Sequence, residues 1–228
     1  EEAASISGDT TILSDSSKQY TINGVVQASQ NSGNILQEMM TSCGGTLFWG
    51  AGAWRLFVGA FVNPTKTLTL DDLRSGINLD TKMTMANNFN AVRGTFVDKD
   101  NSYNSADYPQ VNSSIFLEED NNIESVLDLA LPYTTNSIAA QRLAKQMLYR
   151  NREQLTLSAE FGLNALDIEV GDFVKFRNDR YGWTTGNEKT FEVTDWKLSP
   201  NVEAGDLRVT MTLRESSSSA FGFTVADE

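Results

Sequence analysis

From Asn78 onward the sequence is one short β-type run after another, at 78–85, 91–97, 114–118, 154–161, 172–176, 190–198 and 207–215. Runs of this length bury an apolar face only by pairing, so the cadence predicts an antiparallel sandwich or barrel. The single interruption is 136–153, where Ala140, Leu143, Ala144, Met147 and Leu148 fall at i, i+3, i+4, i+7 and i+8. That spacing predicts one helix packed on a β domain.

The segment before it has a different character. Residues 1–19 are small and polar, with Ile6, Ile12 and Leu13 as the apolar anchors, and read as a lead-in. A strand is expected at 20–26. Asn31, Ser32 and Gly33 then offer N-cap chemistry to a helix whose Leu36, Met39, Met40 and Cys43 share a face, and Gly44-Gly45 stops it. Runs at 46–49 and 53–59 flank Gly50-Ala51-Gly52, a hairpin signal, and 66–70 adds a strand. The expected fold is therefore α+β and mainly β: a lead-in 1–19, a small α/β unit 20–75, a β-barrel-like domain 76–215 with one packed helix, and a Ser-rich linker or tail 216–228. Phe221, Phe223 and Val225 alternate in that tail as an added strand would, and the termini read as those of a segment cut from something longer.

Composition narrows the chemistry. The 228 residues carry a formal net charge of −12, one cysteine and no histidine. Histidine is the commonest general base and metal ligand, so its absence removes most nucleophilic and zinc chemistry. An acidic chain repels phosphates, which argues against general nucleic-acid binding. Cys43 lies on the apolar helix face and reads as a small buried hydrophobe. Glu1 and Glu2 stand where a signal peptide is basic, and no run approaches the roughly 18 apolar residues that span a bilayer.

Charge is concentrated. Between Asp98 and Asp128 there are eight acids (Asp98, Asp100, Asp107, Glu118, Glu119, Asp120, Glu124, Asp128) against Lys99 alone. The helix that follows has Arg142, Lys145, Arg150 and Arg152 against Glu153. Two readings follow: pairing or solvation within one chain, or complementarity between copies of an oligomer. Asp98-Lys99-Asp100-Asn101-Ser102 opens like a calcium loop but places Tyr103 where Gly is required and Pro109 where a bidentate Glu belongs, so it reads as a polar loop. No phosphate-cradling glycine motif occurs, and the acids supply no carboxylate pair of known separation for glycoside hydrolysis, which remains a minor enzymatic alternative. In LDIEVGDFVKF (166–176), Gly171 permits a reversal between two strands and Asp172 can bond nearby backbone N–H groups. Trp183 and Trp196 read as core aromatics or interface residues. No catalytic, cofactor-binding or metal-ligating residue is assigned, and no cofactor is expected.

Several stretches together carry a resemblance. Tyr20-Thr21-Ile22-Asn23-Gly24-Val25-Val26, Ser42-Cys43-Gly44-Gly45, Trp54-Arg55-Leu56 with Gly59, and Leu68-Thr69-Leu70-Asp71-Asp72-Leu73 come first. They are followed by Phe89-Asn90-Ala91-Val92-Arg93-Gly94-Thr95-Phe96-Val97-Asp98, Asp107-Tyr108-Pro109, Leu131-Pro132-Tyr133-Thr134-Thr135, Ala140-Gln141-Arg142-Leu143-Ala144, Gly171-Asp172 and Gly182-Trp183. In this order, over roughly 20–198, the chain resembles the central tail hub (tip attachment protein J) family of long-tailed phages. The resemblance implies a non-enzymatic virion protein at the tail tip. It would form a homotrimeric hub ring ending the tail tube, dock to tail-tube and other tip or baseplate proteins, and serve host attachment and DNA ejection, with DNA only as passing cargo. Family hubs are usually several times longer, with receptor-binding regions on the C-terminal side where this chain has a Ser-rich exit. The alternative reading of the residues is a secreted or surface β-sandwich adhesin using exposed aromatics such as Trp49, Trp54 or Tyr103.

Overall fold

The computed structural model describes residues 18, 20–27, 29–50, 52–64, 66–84, 87–201 and 205–222. The lead-in other than Lys18, and Phe223 and Val225 of the tail, lie outside the described residues. The fold is mainly β with few helices, and it divides into two compact units built from interleaved segments. One comprises Glu1–Ala60, Ala86–Arg152 and Ser219–Glu228; the other Phe61–Met85 and Glu153–Ser218. The expected boundary between 75 and 76 follows chain order, whereas these units do not.

In the first unit, helix α1 (Ser32–Thr41) begins where Asn31 accepts a hydrogen bond from the Gly33 N–H at 2.8 Å. Met39, Met40 and Cys43 of the expected face are half-buried or buried, and Ile35 joins them, while Leu36, expected on that face, is exposed. Gly44 follows with φ of 59°, the left-handed turn that ends the helix. Strands β1 (Thr46–Gly50) and β2 (Ala53–Phe57) form the expected hairpin, a separate two-stranded sheet. The strand expected at 20–26 is not formed: this stretch has irregular backbone.

The core of this unit is a three-stranded sheet in the order β6-β5-β7, from β5 (Ala91–Asp98), β6 (Asn104–Asn112) and β7 (Val126–Leu131). β6 is antiparallel to β5, but β7 is parallel to it, which departs from the all-antiparallel expectation. Neither β6 nor β7 stands out in the sequence. β6 is polar and contains Pro109, which an edge strand tolerates because one side needs no N–H donor. Pro109 and Gln110 stand opposite the single residue Arg93, making a bulge. The run 114–118, expected as a strand, is instead the short helix α2 (Ser114–Glu119), capped by Ser113. Helix α3 (Ser137–Arg152) matches expectation: Asn136 Oδ1 accepts from Ile138 N at 2.8 Å, and Arg150 and Arg152 sit in its last turn, where cations favour the helix dipole. Its Ala140, Leu143, Ala144 and Leu148 pack with Val92, Phe96, Tyr108, Leu129 and Leu131, while Met147 is exposed.

The second unit is one six-stranded sheet in the order β3-β9-β10-β11-β8-β4. Its strands are β3 (Lys66–Leu68), β4 (Asn78–Asp80), β8 (Thr156–Phe161), β9 (Phe173–Phe176), β10 (Lys189–Asn201) and β11 (Asp206–Glu215). β3 pairs in parallel with β9, so it does not complete a β-α-β-β-β unit with the hairpin as the sequence suggests. Among the described residues the terminal strands β3 and β4 are not paired with each other, so the sheet is open and no closed barrel is formed. Strict alternation on β8 and β11 directs Leu157, Ala159, Phe161, Val209, Met211 and Leu213 to one core with Leu68, Val174, Phe176, Phe191 and Val193. Each fully buried large side chain here contributes roughly 1.5–3 kcal/mol. Trp183 and Trp196 pack on this core, in agreement with their sequence reading.

Residues 166–170 form no strand. The Gly171-Asp172 turn, with Gly171 at φ of 92°, instead locks onto β10: Gly171 N donates to Val193 O at 2.8 Å and Val193 N to Asp172 O at 2.9 Å. Opposite that pair the β10–β11 register jumps between Val193 and Asp195, leaving Thr194 as the bulged residue. Asp172 also accepts from Glu169 N at 2.8 Å, the role its sequence position suggests.

Gly94 is fixed by packing. A Cβ there would lie 1.9 Å from Leu129 O on the parallel neighbour β7. Gly94→Ala should therefore destabilise the protein by about 1–3 kcal/mol, read as a lower urea midpoint. Gly76→Ala, where a Cβ meets nothing within 4 Å, should stay within about 0.5 kcal/mol of the parent. Equal midpoints for the two variants would contradict the packing argument.

Candidate assembly surfaces

The acidic stretch resolves into separate jobs. Asp120, at the end of α2, is a local hub: its carboxylate accepts from Asn90 Nδ2 at 2.9 Å, from Asn88 Nδ2 at 3.3 Å and from both terminal nitrogens of Arg152. Arg152 also lies 3.8 Å from Glu119 and stacks over the Phe116 ring at 4.8 Å. The side chains of Arg152 and Asp120 are 11% and 21% exposed, so this pair is largely shielded from solvent screening. Asp128 on β7 holds Arg93 of β5 at 2.7 Å, and Glu124 accepts from Gln110 at 2.8 Å, both at the surface. Part of the charge complementarity legible in the sequence is thus satisfied within one chain.

Other cations of α3 are also engaged. Arg142 donates to the backbone carbonyl of Phe221 at 3.3 Å, and Arg150 lies 5.6 Å from the centre of the Phe221 ring. The Ser-rich exit is consequently structured: 218–221 forms a 3-10 turn with Ala220 buried, and Ser216 N donates to Thr190 O. This ordering is not legible in a Ser run, whose composition signals a spacer.

Of the four remaining acids, Glu118 lies in α2, and Asp98, Asp100 and Asp107 belong to the β5–β6 hairpin. Asp98 Oδ1 accepts from Asp100 N at 2.9 Å, and Ser102 and Tyr103 both take positive φ at the tip. Among the described residues no group of His, Cys, Asp or Glu is arranged to hold a metal ion, and no helix is long and apolar enough to cross a membrane. Burial pushes the Cys43 thiol up, as suits an inert buried hydrophobe.

The clearest exposed apolar surface is on the β1–β2 hairpin. Trp49 and Trp54 are directly paired across the strands, rings 5.3 Å apart and edge to face, yet 60% and 66% exposed. Leu47 and Leu56, the pair two residues back, share that face. A two-stranded ribbon is marginal by itself in water, and this one is tied at its base through Gly59 N to Cys43 O. Large exposed aromatics gathered on one face mark interaction surfaces. The sequence singles out these tryptophans as exposed; their cross-strand pairing needs the register.

A second anchor line holds the irregular 20–27 strap. Tyr20 donates its hydroxyl to Gly59 O at 2.7 Å and contacts Gln146 Oε1 of α3 at 3.1 Å. Asn23 N donates to Tyr133 O at 2.9 Å and Asn23 Nδ2 to Thr135 Oγ1 at 3.1 Å. Cβ atoms at Gly44 and Gly59 would approach the Gln146 amide to 2.9 and 2.5 Å, so the two glycines make room for this buried side chain. Ile22, Val25 and Val26 of the strap are exposed.

Comparison with known proteins points to one context. A model of the Phage-tail_3 family, described as "Putative phage tail protein", matches residues 33–196. A chain of the virion of a native gene transfer agent particle shares the fold at a TM-score of 0.66 and 15% identity, over 97% of this chain and 47% of its own length. The tail protein from Neisseria meningitidis MC58 aligns at a TM-score of 0.57 and 17% identity, over 86% of this chain and 59% of its own. This chain thus spans about half the length of these proteins. No curated protein matches it in sequence.

The Arg152 guanidinium holds the Asp120 carboxyl below the ordinary carboxylate range, against the opposing effect of burial. A folded-state value below the unfolded one means the contribution is complete above about pH 4 and is lost as pH falls through the folded value. Asp120→Asn should cost about 1–3 kcal/mol at pH 7 and flatten the acid side of the stability profile, measured by urea titration from neutral to strongly acidic pH. A variant whose stability falls with acid as steeply as the parent's would remove Asp120 from this role.

Proposed function

We propose that this chain, which belongs to the phage tail protein family, is a segment of the central hub at a tail tip. In this reading copies associate as a homotrimeric ring that ends the tail tube, dock to tube and other tip proteins, and take part in host attachment and DNA passage. The observation that carries the assembly role is the Trp49–Trp54 face: a large aromatic surface left open on one chain of a family that works inside a many-subunit tail. The collinear resemblance over roughly 20–198 supports the hub position in particular. A barrel-like closure of the six-stranded sheet belongs to the same proposal, with neighbouring copies supplying what β3 and β4 leave unpaired.

The charge fits the same role. Acids of the β5–β6 hairpin, Asp98, Asp100 and Asp107, line the channel and repel phosphates, so DNA slides through instead of adhering.

Native mass measurement should show a closed trimer, and a strict monomer at assembly concentrations would overturn the ring. Trp49→Ser combined with Trp54→Ser should abolish the trimer while lowering monomer stability by no more than about 1.5 kcal/mol, the worth of one exposed cross-strand aromatic pair. Replacing Asp98, Asp100 and Asp107 together by Asn should slow DNA release from assembled particles; unchanged release would remove them from the channel. The adhesin alternative rests on the same exposed aromatics, and specific glycan capture by a monomer on an array would favour it over the hub.

A further inference from the structure

We infer that Asn23-Gly24 is a built-in site of spontaneous deamidation whose glycine the fold cannot replace. Asn-Gly is the dipeptide in which succinimide closure is least hindered, because glycine has no Cβ to obstruct the approach of its own backbone nitrogen to the preceding side chain. It occurs once in this sequence. Both residues are exposed and lie in the irregular strap, outside any helix or strand ladder that would hold the backbone away from the reactive geometry.

The structure explains why the hazard persists. Gly24 lies over the ring of buried Tyr133, and a Cβ at this position would fall 2.3 Å from Cδ1 and 2.7 Å from Cε1 of that ring. Any side chain on residue 24 therefore displaces Tyr133 or lifts the strap. The residue that makes the site reactive is the one required for docking.

The chemistry balances with water alone. The Gly24 backbone nitrogen loses its proton and attacks Cγ of Asn23; the C–N bond to the side-chain amide breaks, and ammonia leaves. Water then opens the cyclic imide at either carbonyl, giving aspartate or isoaspartate. Nothing is oxidised or reduced.

The two products act differently on the strap. Aspartate keeps the backbone length and the Asn23 N–H to Tyr133 O hydrogen bond, and exchanges the Nδ2 donation to Thr135 for acceptance from its hydroxyl. Isoaspartate routes the main chain through the former side chain. It inserts a methylene between the Tyr20 anchor on Gly59 and Gln146 and the part of the strap lying on Tyr133, so both anchors cannot stay in register.

The test is incubation of the intact protein at mildly alkaline pH, with peptide mapping by mass spectrometry and enzymatic labelling of isoaspartate. Residue 23 should convert first among the asparagines, and Asn23→Gln should abolish the isoaspartate label from the strap peptide. Hydrogen exchange at 20–27 should rise in the isoaspartate fraction and stay near the parent's in Asn23→Asp. An Asn23 that stays amidated while a free peptide of residues 18–28 converts would overturn the inference, as would equal exchange in the isoaspartate and parent fractions.

Discussion

Helix α3 is buried on nearly every side, and the first unit is organised by that burial. Its apolar stripe packs on the three-stranded sheet through Ala140, Leu143, Ala144 and Leu148. Its polar residues bind the surrounding segments: Gln146 meets Tyr20, Arg142 the carbonyl of Phe221, Arg152 the carboxylate of Asp120, and Asn151 the carbonyl of Asn87. Buried amides and guanidinium groups are costly unless they are partnered. The segments that partner them are therefore held in place by the same helix that supplies the core's apolar stripe, and stretches far apart in sequence converge on it.

The second unit rests on a different device. Its strands β8 and β11 alternate strictly, and the register is set where β10 bulges at Thr194 and takes the Gly171-Asp172 turn on its other side. A one-residue slip in a strand would send its apolar set to the wrong face. The bulge absorbs one residue, so Phe191 and Val193 on one side of it and Val209, Met211 and Leu213 of β11 all remain in the core. Beyond Val193, where the Gly171-Asp172 turn makes the last backbone bonds, the described residues put no ladder partner on the β9 side of β10, and Pro200 is tolerated there.

Function in a protein of this kind resides in what the folded chain leaves unsatisfied. The charges tied up by Asp120, Asp128 and the α3 cations belong to the fold, as do the glycines packed against Gln146. Among what remains outward are an aromatic hairpin face and an acidic hairpin tip. One favours burial against another surface and the other repels polyanions.

By itself the sequence determined the mainly β class, the place of α3 and most of its inward face, the β1–β2 hairpin, strands near β10 and β11, the cap chemistry at 31–33 and the turn chemistry at Gly171-Asp172. These follow from short-range periodicity and from residues with narrow backbone preferences. It also made the concentration of acids readable, because charge content needs no contact map, whereas the exposure of Trp49 and Trp54 entered only through the adhesin alternative. Only the tertiary structure decided that 114–118 is helical, that 20–26 is an irregular strap, that β6 and β7 are strands, and that β3 pairs in parallel with β9 and β7 with β5. Ser114–Glu119 has β-branched and aromatic residues but gains a Ser113 cap; β6 is polar because it is an edge; and β3 is too short to choose a partner except through the core it enters. Long-range pairing depends on which surfaces meet after the chain has returned on itself, and local periodicity contains no record of that return.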